Sequence, residues 1–219
     1  MNESTPYNSK SLWLAIISLI GCAALATIAV SLTEISNRDR IKANQLEWET
    51  RVIREVLPIS GYDNEPWLDA VRATNPELLG TPAAMPVYRA RNGTTPIATV
   101  ITVVAQDGSV GPITLAMGID MNDAIVAVRP TEHRETPGLG DRIDIKKSEW
   151  INAFVGVRSG AAAKNWGFRK TGGDFDRITG ATVTSRAVIN AIRNGLEFYR
   201  LNRDRIYAAE TGTTLTDSL

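Results

Sequence analysis

The 219-residue chain holds one cysteine and one histidine. A lone cysteine forms no intramolecular disulfide. Nor can it hold an iron–sulfur cluster or a cysteine-rich zinc site, which take about four ligands. No Cys-x-x-Cys-His is present for c-type haem attachment, and a single histidine excludes a multi-histidine metal centre. An excess of charge is missing too: 24 Lys and Arg balance 24 Asp and Glu. Without a basic field for a polyanion, nucleic acid is not an expected partner. If the protein moves electrons, its carrier is organic and held by other side chains. The sequence also lacks internal repeats and low-complexity segments.

Charge is unevenly placed. Leu12 to Leu32 contains no charged residue, with Lys10 before it and Glu34 after it. Such a run is close to the roughly 20 residues that cross a bilayer as a helix, so a transmembrane helix is expected over 12–32, with the lipid bilayer as its partner. Two processed alternatives carry less. Ala24-Leu25-Ala26 resembles a signal-peptidase site, yet the apolar run continues past it. Leu19-Ile20-Gly21-Cys22 resembles a lipoprotein box, but the residues after Cys22 stay apolar where a lipoprotein turns polar. Arg38, Arg40 and Lys42 follow the span and outnumber Lys10. Read literally, that bias keeps the C-terminal side in the cytoplasm, although the rule weakens for long translocated domains.

After a short N-terminal tail (1–11) and the span, a helical stalk and linker is expected over 33–86. A helix over Asn37–Leu57 continues from the membrane and ends at Pro58. Four prolines between Ser60 and Pro86 suggest a connecting loop with a short helix around Trp67–Ala73. Strands follow over Val87–Arg91, Ile97–Ala105, Pro112–Gly118 and Ala124–Val128. They are joined by turns at Asn92-Gly93, Asp107-Gly108 and Asn122-Asp123, so an antiparallel meander is predicted. Ser148 can cap a short helix to Phe154, and Gly160–Trp166 reads as a small-residue loop. After Gly180, apolar residues at Ala187, Val188, Ala191, Ile192, Leu196 and Tyr199 mark a helix with one buried face. The fold class expected is α+β, an antiparallel sheet with packed helices over 87–207. A flexible polar tail is expected over 208–219.

Two stretches concentrate chemistry. In Thr131 to Asp141, Pro137, Gly138 and Gly140 make a tight loop whose amides can approach a ligand, with His133 and Glu135 as polar handles; a solvated surface turn is the plain alternative. In Asp176 to Ser185, hydroxyls and small residues lead into the last helix. Ordinary capping explains such residues, but a helix start with free N–H groups also favours a phosphate. No Walker-type lysine is present, so this is not a P-loop.

These residues carry a resemblance. Asp176-x-x-Thr179-Gly180-Ala181-Thr182 is similar to the flavinylation motif of bacterial membrane flavoproteins, and HRETPGLGD at 133–141 matches the second signature of the same group. The order and spacing also match, with WINAF at 150–154 and GGDFDRITGATVTSRAVINAI at 172–192. Over nearly its whole length the chain resembles G subunits of the Rnf (Rsx) ion-translocating electron transport complex. The C subunit of the sodium-translocating NADH:quinone reductase is a more distant relative.

The resemblance implies a covalent FMN, joined by a phosphoester to Thr182 by a flavin transferase that uses FAD. It makes Asp176, Thr179, Gly180 and Ala181 the motif that the transferase reads. Thr184 and Ser185 are candidate donors to the phosphate, with helix capping an equal alternative. His133, Glu135, Thr136, Gly138, Leu139 and Gly140 are candidates to line the flavin pocket. It further implies an electron-transfer subunit in the bacterial inner membrane, with its soluble domain periplasmic, other Rnf subunits as partners and no substrate turnover of its own. A membrane-anchored ligand-binding or assembly module without redox function is the competing reading.

Overall fold

In the computed structural model, residues 9–58, 60–159 and 165–216 are described, apart from the side chains of 9–11, 35, 38–46 and 49. The chain divides into two units, Met1–Trp48 and Glu49–Leu219. A helix, α1, runs Ser9–Val56. Within it, Leu12–Glu34 is long and apolar enough to cross a membrane, with a mean hydropathy of 2.4.

The second unit is built on a six-stranded sheet: β1 (Ala70–Asn75), β2 (Thr81–Asn92), β3 (Thr95–Ala105), β4 (Ile113–Asp120), β5 (Ile125–Glu132) and β6 (Thr214–Thr216). The spatial order is β5-β4-β3-β2-β1-β6. All neighbours are antiparallel except β6, which runs parallel to β1. A short helix, α2 (Pro76–Leu79), joins β1 to β2, and the long α3 (Thr182–Ala208) follows the loops.

The two-residue period of a strand sorts the sheet into two faces. Val87, Ile101, Val103, Ile113, Leu115, Met117 and Ile119 point to one face, where they meet Val188, Ile192, Leu196 and Tyr199 of α3. Ala90, Ala98, Val100, Ala116 and Ala127 point to the other, where Ile53, Val56 and Leu57 at the end of α1 cover them. Small side chains on this second face let a helix backbone come close. At Gly118 a Cβ would lie 1.7 Å from the Val56 carbonyl oxygen.

The meander and the buried face of α3 agree with the sequence reading, and Ser148 caps the 3-10 turn Glu149–Phe154 by accepting from the Trp150 N–H at 3.3 Å. Several elements differ. The stretch 60–86, expected as a loop with a helix around Trp67–Ala73, contains β1, α2 and the first half of β2. The tail expected to be flexible from Ala208 instead continues into β6, paired with Arg72–Thr74. The first hairpin turns at Gly93-Thr94 rather than Asn92-Gly93, because a bulge after Ala90 shifts the register and pairs Asn92 with Thr95. The small-residue loop over Gly160–Trp166 lies largely outside the described residues, as do the side chains of Ile41 and Leu46 in the stalk.

A buried guanidinium explains why β6 stays in place. Arg89 of β2 is 2% exposed. It donates to the Ile206 and Ala209 carbonyls at 2.9 and 2.6 Å, to the Thr211 hydroxyl at 2.8 Å, and to Asp69. Arg91 and Thr211 also donate to Asp69. Burial raises the Asp69 carboxyl, but hydrogen bonds from Thr211, Arg89 and Arg91 outweigh it and leave the group below the ordinary carboxylate value.

Two outcomes are expected from thermal unfolding of the detergent-solubilised chain. Because the folded Asp69 value is depressed, its contribution is complete above about pH 4 to 5 and is lost as the pH falls toward the folded value. Asp69→Asn should therefore lower stability at neutral pH by about 2–3 kcal/mol and flatten this acid dependence. An unchanged acid limb would show that other carboxylates set it. Gly118→Val should release the end of α1 from the sheet, seen as faster amide exchange over residues 50–57 while α3 keeps its protection.

Candidate functional site

The motif around Thr182 is shaped by one turn. Ala181 N–H donates to the Ile178 carbonyl at 3.0 Å, and Gly180 sits at φ +84°, a conformation that β-turns of this kind reserve for glycine. The turn is braced from the helix. Ser185 donates its hydroxyl to the Ala181 carbonyl at 2.9 Å and accepts the Ile178 N–H at 3.0 Å. Thr182 is the first residue of α3. The cap, Ala181, has no side chain that reaches the helix N–H groups, and the first turn contains no acidic residue. The unpaired N–H groups of a helix start and its positive dipole end suit an anion.

A cavity of about 350 Å³ opens beside Thr182. Its aromatic wall is Phe168 and Phe175, its charged rim Arg169, Lys170, Asp176 and Arg177, and its floor the turn residues Thr179 and Gly180. The size is at the lower end of small-molecule sites. Phe175 is buried and stacked between Phe154 and Trp166, with ring centroids at 4.8 and 5.2 Å. Trp150 donates its indole N–H to the Asp176 carbonyl at 2.6 Å, which joins the WINAF segment to the motif loop. Arg169 pairs with Asp176 at 3.4 Å. Both are about two-thirds exposed, so the pair adds little stability. Lys170 and Arg177 have no carboxylate partner among the described residues.

The site residues expected from sequence separate into three groups. Thr182, Asp176, Thr179 and Gly180 line the cavity. Ala181 is buried behind it. Thr184 and Ser185, expected as donors to a phosphate, are fully buried with their hydroxyl protons committed within the fold, Ser185 to Ala181 and Thr184 to Glu135 at 2.5 Å.

The loop 133–140 is not among the residues that line this cavity. Glu135 turns inward, 4% exposed, and accepts from Thr184 and from the Val110 N–H at 3.1 Å. His133 accepts the Glu135 N–H at 3.3 Å, and the Thr136 carbonyl accepts from Leu139 and Asp141, so these two residues shape the loop itself. Gly138 lies at φ +78° in that turn. Leu139 packs over Gly180, and Gly140 lies against Glu135. Sequence reasoning missed Phe168, Arg169, Lys170, Phe175 and Arg177. The signal was the interleaving of aromatic and basic residues over 166–177, immediately before the motif.

The FMN-binding domain family matches residues 108–197. Curated relatives match over most of both chains, and each is named as the G subunit of an ion-translocating oxidoreductase complex. The protein of Pseudomonas aeruginosa (strain UCBPP-PA14) is 39% identical over 88% of this chain and 91% of its own. That of Shewanella baltica (strain OS223) is 37% identical over 85% and 90%. That of Aliivibrio fischeri (strain ATCC 700601 / ES114) is 36% identical over 92% and 94%. With this identity over nearly full length, and with the FMN-binding domain spanning both the 133–141 loop and the start of α3, the chain belongs to the family of G subunits of the ion-translocating oxidoreductase (Rnf) complex.

Proposed function

We propose that this chain is an electron-transfer subunit that carries FMN on Thr182 through a phosphoester. The observation that carries the reading is the position of the Thr182 hydroxyl. It lies at the uncapped start of α3, on the wall of a cavity with an aromatic side and two cations that have no carboxylate partner among the described residues. The donor set fits the group. The helix N–H groups, Lys170 and Arg177 suit a phosphate, and Phe168 offers apolar surface to a ring. FMN supplies one- and two-electron chemistry when bound. The chain supplies attachment, orientation and charge. An ester on the phosphate leaves the flavin ring free.

A flavin transferase using FAD installs the group in this reading. The Thr182 oxygen forms the new bond to the FMN-side phosphorus, the pyrophosphate P–O bond breaks, AMP leaves, and the hydroxyl proton goes to solvent or to the transferase. Gly180 and Ala181 keep the approach to that hydroxyl open.

The other subunits of the complex are the electron partners, and α1 anchors the chain in the bacterial inner membrane. The soluble domain is assigned to the periplasmic side, where a covalent bond prevents loss of a cofactor that could not readily be replaced. The basic residues after the span favour the opposite side by simple counting. A periplasm-active reporter fused after Leu219 decides between them, and an inactive fusion reverses the placement.

The chain co-expressed with a flavin transferase should give a band that fluoresces under ultraviolet light on a denaturing gel, and its Thr182 peptide should gain the mass of FMN. Thr182→Val should abolish both; a dark wild-type band from flavin-replete cells would sink the assignment and favour a non-redox binding module. Lys170→Gln together with Arg177→Gln should slow attachment by about tenfold, the scale of one charge-assisted hydrogen bond, without changing the unfolding temperature.

A further inference from the structure

We propose that Glu135 is a positioning residue. Its buried carboxylate, gripping the Thr184 hydroxyl, holds the first turn of α3 so that Thr182 faces the cavity. The inference rests on Thr182 as the attachment point and gives the 133–140 loop a task that needs no contact with the flavin.

The loop holds the chain on both sides of Thr182. Two residues after it, Thr184 is fully buried and donates to Glu135 Oε2 at 2.5 Å. Two residues before it, a Cβ on Gly180 would lie 2.8 Å from Leu139 Cδ2, so Leu139 covers the turn at van der Waals range. Thr182 lies midway between two positions fixed by the same loop.

The carboxylate is itself held in place. Oε1 accepts the Val110 N–H at 3.1 Å. Two glycines wall the group: a Cβ on Gly140 would come within 2.5 Å of Oε2, and one on Gly108 within 3.0 Å of Oε1. No ion pair to Glu135 occurs among the described residues. A carboxylate buried at 4% exposure without a cation needs other stabilisation. Here it receives two hydrogen bonds and the positive end of α3.

Helix ends fray by default. A hydroxyl that must accept a phosphoryl group works only when held close to its reacting geometry. The carboxylate–threonine tie removes fraying at the turn where it matters, and Ser185 performs the matching task on the Ile178 side. Because the Thr184 proton points to Glu135, Thr184 has none to offer a phosphate, so its effect on attachment passes through the helix turn.

The test uses the full chain in detergent, with a flavin transferase and FAD. The variants are Thr184→Ser, Thr184→Val, Glu135→Gln and the double variant Glu135→Gln/Thr184→Val. The readouts are the initial rate of flavin attachment, amide exchange over residues 182–185 against β3, and the unfolding temperature. Thr184→Ser keeps the donor and should behave as wild type. Thr184→Val and Glu135→Gln should each slow attachment and speed first-turn exchange by about tenfold, while β3 keeps its protection. The double variant should be no worse than the singles, because both remove one interaction. Attachment at the wild-type rate in Thr184→Val overturns the proposal, as does additivity in the double variant or exchange that rises equally in β3. If the wild-type chain takes no flavin at Thr182, the attachment reading fails alone, and the exchange comparison still decides the tie.

Discussion

A guanidinium held at 2% exposure must find a partner for its N–H groups inside the protein, and Arg89 finds them at the far end of α3. It binds the carbonyls of Ile206 and Ala209, where a helix leaves acceptors unsatisfied, and it carries Asp69 and Thr211 with it. One side chain from the middle of the sheet thus anchors the C-terminal end of α3, the connection before β1 and the connection to β6. At the opposite end of α3, Glu135 performs the complementary service with a carboxylate at the N-terminus. Each charge sits at the helix end whose dipole favours it, a cation at the C-terminus and an anion at the N-terminus.

Between those ends, packing sets the height of the helix above the sheet. At Gly195 a Cβ would lie 2.7 Å from both Met117 Cε and Val103 Cγ1, so the glycine makes room for these side chains of β3 and β4 under α3. The buried stripe from Ala187 to Ile206 then fixes rotation about the helix axis. With translation, height and rotation all set, the one residue at the start of the helix with a half-buried hydroxyl, Thr182, has little freedom. The cavity is assembled around it from loops that carry no regular structure beyond short turns, and these are braced by the Trp150, Phe154, Phe175 and Trp166 aromatic group. A rigid scaffold presenting a chemically varied loop is the usual way to place a ligand group with precision.

Elements were legible in sequence where local chemistry and tertiary packing agree. The meander was legible because β-branched runs alternate between well-marked turns, and α3 because six apolar residues recur at its period. β1 was not, since of the three buried residues in Ala70-Val71-Arg72-Ala73-Thr74-Asn75 only Val71 is a large apolar one, and the segment precedes a proline-rich stretch. β6 was not, because a three-residue strand in a polar tail is a tertiary product: Gly212 N–H bonds to the Ala70 carbonyl, Arg72 N–H to the Thr213 carbonyl, and Arg89 holds Thr211. The hairpin slipped by one residue because bulges leave no mark on composition.

The site shows the same division at finer scale. The stretch 176–185 stands out locally as a helix start rich in small and hydroxylated residues, but the choice of Thr182, Thr179 and Gly180 within it rests on the family resemblance. The cations and rings of the cavity were not, because Phe168 to Arg177 meets Thr182 only once Phe175 is stacked into the aromatic group. Glu135 is the instructive case. Its residue type and its place in a glycine-rich loop drew attention to it as a group that meets a ligand, and burial assigns it elsewhere. A carboxylate walled by Gly108 and Gly140 and bonded to a threonine inside a helix cannot also face a cavity. The glycines in such a loop therefore admit two readings, backbone opened toward a ligand or backbone drawn close around a buried side chain. At Gly140 the 2.5 Å approach to Glu135 selects the second.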